Sequence, residues 1–380
     1  MPAAARAQAS VGAQAVLAVT WADRTPFGDA RTEAKVVHPV VMARFARGPF
    51  RLDATLNLEA ATMRGGELAL GVWGEGFNDR RHPHTVAHEL IVSVGTRRWS
   101  VSVGKGFVPF GSDDPMSRPA LRYPVNHHWS QLLERAVTAA GVRVGPAALE
   151  AALFNGDEPE RPGQWPAWDR FGDSWSARLT LFPAPGLEAQ VSTADVASPE
   201  HRPGAGPEHR KWSVSLRAEL PRGRSRVTSL VEWGRDAELD GFFRYYTALA
   251  EAQLERGPAR AWTRLERTDR PEEQRVFGDP FRSVRPHFDN SILGISRWNT
   301  VTVGAARTWT WRRAVRLEPL AEVTFARVTN VTGVVQTPEA LFGRNQLWTA
   351  SVGLRIGAGA PIHRMGRYGV LANQDLHGHE

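Results

Sequence analysis

Along Phe50–Ala60 the side chains change character at every residue. One parity carries Phe50, Leu52, Ala54, Leu56, Leu58 and Ala60, and the other Arg51, Asp53, Thr55, Asn57 and Glu59. A period of two describes an extended strand with one apolar and one polar face. The pattern returns at Trp175–Leu181, Lys211–Leu220, Val315–Phe325 and Trp348–Ile356. No stretch comes near the roughly 18 consecutive apolar residues that a spanning helix requires. Helical membrane proteins are excluded on that ground. Barrels are not, because a barrel strand turns only alternate side chains to lipid.

Soluble sandwiches also alternate, so the connections must decide. Tight links fall at Arg47-Gly48-Pro49, Thr96-Arg97-Arg98, Gly145-Pro146, Pro183–Gly186, Pro221-Arg222-Gly223, Glu255–Pro258 and Trp311-Arg312-Arg313. Long polar links lie between them: Ala22–Val36, Thr62–His84, Phe107–Leu132, Gly156–Gly172, Ala197–Glu208, Thr268–Ser296 and Thr329–Arg344, with only Arg235–Asp240 short. Short and long connections alternate, as in up-and-down strands with turns at one end and surface loops at the other. The expected fold is an all-β transmembrane antiparallel barrel of about sixteen strands, within fourteen to eighteen, with short periplasmic turns and long extracellular loops.

Aromatic placement agrees. Trp21, Trp175, Trp212, Trp233, Tyr246, Phe325 and Trp348 fall near loop ends of the outward parity, and Phe45, Phe50, Trp99, Trp309 and Trp311 near turn ends. Two aromatic bands flanking small apolar residues mark a lipid-facing belt.

The opposite parity holds Arg51, Asp53, Glu59, Arg178, Lys211, Arg217, Arg224, Arg226, Arg260, Arg264, Arg316, Glu318 and Glu322 as candidate lumen-facing groups. Burying so many charges dry would carry a large desolvation penalty, so a water-filled lumen or cross-strand ion pairs are expected. The net charge of +7, from 47 Lys and Arg against 40 Asp and Glu, is spread along the chain without a basic run, and no nucleic-acid partner is expected. Cysteine is absent, which removes thiolate nucleophiles, disulfides and cysteine-ligated metals at once.

At the N-terminus, Ala7-Gln8-Ala9 before Ser10 has the form of a secretory cleavage site without the preceding charged and apolar regions. The expected organisation is a signal remnant over 1–9, a barrel over 10–358 and a polar periplasmic tail over 359–380.

Loop Phe107–Leu132 follows Ser102-Val103-Gly104-Lys105-Gly106 and opens with Phe107-Val108-Pro109-Phe110-Gly111. Over Gly104–Gly111 the chain resembles the phosphate-selective porin O and P family and its relatives. That resemblance implies an outer-membrane diffusion channel for small hydrophilic solutes or ions, a third loop folded into the barrel, and a homotrimer. Asp113, Asp114, Arg118, Arg122, His127 and His128 are then the candidate constriction residues. Phosphate selectivity is not implied, because the only lysines are Lys35, Lys105 and Lys211. The usual terminal aromatic residue is also missing.

His82, His84, His88 and Glu89 lie close together, but neither H-E-x-x-H nor its inverse is present, so solvated junction histidines are expected and no metal. No spacing singles out a catalytic triad, and neither an enzyme nor a cofactor is expected. The second reading of the whole is an outer-membrane barrel with a plugged lumen and an enzymatic, adhesive or structural role.

Overall fold

The computed structural model describes residues 7–26, 28–63, 68–71, 84–112, 115–126, 131–159, 161–197, 208–273, 275–276, 279–283, 292–311, 315–332, 337–361 and 364–372. Sixteen strands form the barrel: β1 Gln8–Ala22, β2 Arg31–Arg47, β3 Phe50–Asn57, β4 Ala87–Gly95, β5 Trp99–Gly106, β6 Arg135–Val144, β7 Ala147–Phe154 and β8 Ser174–Leu181. The second half is β9 Leu187–Ala197, β10 Glu208–Arg222, β11 Ser225–Glu238, β12 Phe243–Arg256, β13 Ala259–Glu273, β14 Ile292–Arg307, β15 Val315–Thr332 and β16 Gln346–Gly359. Trp309–Trp311 continues β14 along β15. Each strand pairs antiparallel with its sequence neighbours, and β1 closes on β16 from Gly12↔Gly359 to Ala22↔Thr349. All backbone donors in the wall can therefore be satisfied without an edge, as a spanning structure needs.

The expected alternation is present face by face. Leu56 is 45% exposed on the outside while its neighbour Asn57 is fully buried. Val92, Val101, Val103, Val214, Leu216, Val231, Val301 and Val352 are exposed in the same outward sense. Trp21, Trp175, Trp212, Trp233, Tyr246 and Trp348 stand exposed toward the loop end, and Phe45, Phe50, Trp99, Trp309 and Trp311 toward the turn end. A continuous apolar exterior of this kind is stable against acyl chains, not water.

Gly-Pro sets three of the tight turns. Between the paired residues Val144 and Ala147, Gly145 takes φ +55°, and Pro146 supplies a fixed negative φ. That combination suits a two-residue hairpin whose twist matches the strands. The same dipeptide joins Arg47 to Phe50 and Arg256 to Ala259.

Several boundaries depart from the sequence expectation. β3 stops at Asn57 because the Asn57 Oδ1 accepts the Glu59 N–H at 2.9 Å and starts a helical turn, Glu59–Thr62. Gln8 and Ala9, expected in a leader, pair with Ala46 and Phe45 in β2. β2 starts at Arg31, before the expected end of its link, and β13 runs on to Glu273. At His38–Pro39 the β1–β2 register slips by one, and His38 adopts φ +52°. This bulge gives the wall a local bend.

Candidate pore and its lining

The third loop, expected to fold inward, lies inside the barrel. Its two ends are pinched together where the Val108 N–H donates to the Leu132 carbonyl at 2.9 Å. From there the loop crosses the lumen, and its own Phe107, Val108, Phe110, Leu121 and Leu132 form an apolar core with inward wall residues such as Val137 and Phe154. Wall side chains hold its backbone at successive stations. The Gly111 N–H donates to Ser192 Oγ on β9 at 2.9 Å. Both oxygens of Glu322 on β15 are used, accepting from Leu121 N–H at 2.9 Å and Arg122 N–H at 3.1 Å. Glu266 on β13 accepts the Val125 N–H at 2.7 Å, and Arg264 donates to the Arg122 carbonyl at 2.6 Å. The Trp262 indole N–H also reaches Glu322, at 2.9 Å. Across the lumen, Tyr123 stacks on the bulged His38 with centroids 5.1 Å apart. Carboxylates that accept backbone N–H groups are strong anchors, since one partner is ionised.

Arg118 and Arg122, two of the expected constriction residues, are buried within this loop. Arg118 donates to Ser112 Oγ at 2.8 Å and approaches Glu232 on β11 at 3.4 Å. Burial lowers the Arg122 guanidinium to about 10 against the pull of Glu266 and Glu322, so it stays charged at neutral pH. Asp113, Asp114, His127 and His128 lie outside the described residues.

Of the expected lumen groups, Arg51, Asp53, Glu59, Arg178, Lys211, Arg264, Glu318 and Glu322 are buried inside the wall. Arg217, Arg260 and Arg316 are half-buried, while Arg224 and Arg226 are exposed at the turn end. Ion pairs, not bulk water, satisfy most of these groups: Arg51–Asp53, Arg178–Glu150, Lys211–Asp236 and Arg264–Glu251 each at 2.7 Å, and Arg217–Glu219 at 3.0 Å. Glu318 pairs with both Arg260 and Arg355. Of the two expectations for these charges, a water-filled lumen or ion pairs between strands, the ion pairs are what the wall shows at these residues.

A second segment enters the lumen. Residues 364–372, expected in a polar periplasmic tail, pack against the inner faces of β4, β5, β8 and β9, with Met365, Tyr368, Val370 and Leu371 buried. Arg364 forks onto Glu188 with two bonds of 3.0 Å, and Arg367 reaches Glu188 at 2.5 Å and Gln190 at 3.2 Å. The Tyr368 hydroxyl donates to Glu89 at 2.5 Å and accepts the Phe107 N–H at 3.0 Å. Burial, then Glu89, pushes that phenol well above its usual range, so it remains a donor. Val370 N–H donates to Ser100 Oγ at 2.9 Å, and Arg178 to the Gly366 carbonyl at 3.0 Å. Glu188 and Glu89 were legible as polar residues in the sequence. Their partner segment was not, although Arg364, Arg367 and Tyr368 gave a basic and aromatic signal.

At the turn end, a cavity of ≈ 890 Å³ opens beside this segment, lined by Arg44, Arg51, Arg97, Arg143, Ser100 and Gly369 among others. No carboxylate belongs to its lining among the described residues.

His84 and His88, expected in solvent, are buried beside Glu134, which precedes β6; His82 lies outside the described residues. His88 Nδ1 meets Glu134 Oε1 at 2.7 Å, and Thr85 donates to the same oxygen from N–H at 2.8 Å and from its hydroxyl at 2.6 Å. Burial pushes this carboxyl up, but the His88 bond and the His88, His84 and Lys105 charges outweigh it and hold it at about 2.

No family model matches the sequence, and no curated protein matches it. Solved structures do match. An anion-selective porin from Comamonas acidovorans superposes with TM-score 0.54 at 10% identity, over 93% of this chain and 100% of that one. OmpT expressed in the outer membrane of Vibrio cholerae matches at TM-score 0.48 and 9% identity, over 93% and 98%. OccK2 of Pseudomonas aeruginosa, in complex with glucuronate, matches at TM-score 0.44 and 11% identity, over 93% and 99%. The first of these likenesses supports the sixteen-stranded porin-type barrel as the fold.

Proposed function

We propose that the chain is an outer-membrane channel for passive diffusion of small hydrophilic solutes or ions. The observation that carries the reading is a closed sixteen-stranded barrel, apolar outside and charged inside, whose third loop is anchored across the lumen by Glu322 and Glu266. A wall of this diameter would be wide without an internal segment. A loop held by its backbone narrows it at a fixed depth. Arg97 and Arg143 in the cavity at the turn end favour anions, since fixed positive charge beside low-dielectric walls raises the local anion concentration, whereas Arg44 and Arg51 there are paired with Asp53.

The likeness over Gly104–Gly111 to the phosphate-selective O and P family supports the inward loop. It does not extend to phosphate selectivity, since the lysines of such a pore are absent. A trimer belongs to the proposal through that resemblance alone. Two segments in the lumen, loop 3 and residues 364–372, favour a second reading in which the barrel is plugged and structural or adhesive.

Planar-bilayer recording separates the two. Stepwise, anion-preferring currents from the refolded full chain are expected. Silence from both the full chain and a variant ending at Ala360, each heat-modifiable and folded, overturns the channel reading and establishes the plugged one.

A further inference from the structure

Behind loop 3, at its loop-end attachment, four acidic or imidazole side chains converge from three separate segments. His84 and His88 come from the approach to β4 and from its second residue, Glu134 from the residue before β6, and Glu59 from the turn after β3. One donor atom each from His84, His88 and Glu134 lies within 4.8 Å of the others, and all three side chains are buried. We propose that His84, His88 and Glu134 form a binding site for a divalent transition-metal ion of the zinc class.

Two imidazoles and a carboxylate suit that class, being of borderline softness and accepting nitrogen and oxygen at about 2.0–2.2 Å in tetrahedral geometry. Donors on such an ion stand about 3.4 Å apart. His84 Nδ1 lies 4.0 Å from Glu134 Oε1, too far for a hydrogen bond and a short rotation from that spacing. That nitrogen is buried and has no hydrogen-bond partner, though the ring is 6% exposed and faces the carboxylate. Buried polar atoms are nearly always satisfied, and an ion is one recognised reason for an exception. The His88–Glu134 bond of 2.7 Å is the contact an ion would replace, displacing its proton.

The surroundings are those of a positioned donor set. Thr85 holds the Glu134 carboxylate with its N–H and hydroxyl, as the outer partners of ligating carboxylates do. Glu134 itself sits at φ +60°, unusual for a residue with a side chain, and this turns its carboxylate back toward the histidines. Glu59 Oε2 stands 3.9 Å from His84 Nε2 on the far side of that ring and would orient it. Lys105, the rival cation, is drawn aside: its ammonium bonds Thr85 Oγ1 and lies 5.6 Å over the Trp165 ring.

A second group, His209, Asp236 and Glu238, meets the same distance test and serves as the internal control. There Lys211 Nζ already bonds Asp236 at 2.7 Å, and His209 Nδ1 bonds the same oxygen at 2.9 Å. An ammonium already occupies the place an ion would take.

The test is calorimetric titration of the refolded, untagged full chain in detergent with Zn²⁺, and with Mg²⁺ in parallel. Co²⁺ absorbance then reports coordination directly. One buried Zn²⁺ per chain is expected, with no Mg²⁺ binding and a four-coordinate visible band for Co²⁺. His84→Gln is the decisive variant, because His84 Nδ1 makes no hydrogen bond whose loss would unfold the chain. It should weaken Zn²⁺ binding at least 10-fold and abolish the band, and Glu134→Gln should do the same. His209→Gln should change neither. Tail histidines His377 and His379 remain in every variant, so their binding cancels in the comparison. Unaltered Zn²⁺ affinity in folded His84→Gln, equal binding of Mg²⁺, or the absence of any band in the wild type overturns the site.

Discussion

Replacing Glu188 by glutamine tests how the segment 364–372 is held. Glu188 is nearly fully buried and accepts hydrogen bonds from Nη1 and Nη2 of Arg364 and from Nη2 of Arg367. Hydrogen bonds to a charged group contribute about 1.5–3 kcal/mol each. Glutamine keeps one acceptor oxygen but no charge, and Arg364 is 18% exposed, which discounts its share. A loss of about 2–3 kcal/mol of docking is therefore expected, equivalent to roughly 30- to 150-fold in the undocked population. The chain has no cysteine, so Met365→Cys, at a position 1% exposed, supplies a single thiol under the docked segment. Its reaction with a charged methanethiosulfonate reagent tracks the undocked fraction when closing outpaces reaction. Glu188→Gln in that background should raise the labelling rate by at least 30-fold. An unchanged rate, with the barrel folded, would show that Met365 is covered by something other than a docked tail, and the argument from Glu188 would fail.

Leu56→Arg, on the lipid face, should destabilise refolding from urea by about 2–4 kcal/mol, and Leu56→Val by far less; equal effects would reverse the facing of β3. Arg97→Glu with Arg143→Glu should move the reversal potential toward cations in a salt gradient, and the shift should shrink in about 1 M salt, where the Debye length is about 3 Å. In the β7–β8 loop, burial pushes the Asp157 carboxyl up, to about 6, despite two bonds from Arg170 at 2.9 and 3.0 Å. The folded state then holds a proton that the unfolded chain releases near pH 4, so stability should fall as pH rises from about 4 to about 6. Urea midpoints for the wild type should show that slope, and Asp157→Asn should flatten it.

The wall was legible because each of its strands repeats a constraint at every second residue. Leu56 and Asn57 need only their own neighbours to declare their faces, and Gly145-Pro146 declares its turn without help. The inward loop was legible from a different source, the Gly104–Gly111 likeness and the density of proline and glycine after β5. What fills the lumen was much less so. Glu322 reads as one more inward charge on β15, and nothing near it reveals that it would bind backbone amides 200 residues away. His84 and His88 read as solvated because Glu134 stands 46 residues from His88 and at a backbone angle no local pattern suggests. The tail was misjudged for the same reason: Tyr368 is polar enough for solvent until Glu89, 279 residues earlier, is placed beside it.

The separation between loop 3 and its anchors also bears on the order in which the molecule assembles. Leu121, Arg122 and Val125 give their amide protons to carboxylates on β13 and β15, strands made long after the loop itself. Until those strands close against β16 and β1, the loop has no acceptors inside and must keep its amides in water. Closing so long a span is entropically slow and is rewarded only at the end. Ordering of the loop is therefore a late event. Hydrogen exchange at these amides would be protected after the wall, on a clock set by β13 and β15 and not by the hairpin β5–β6 that carries the loop.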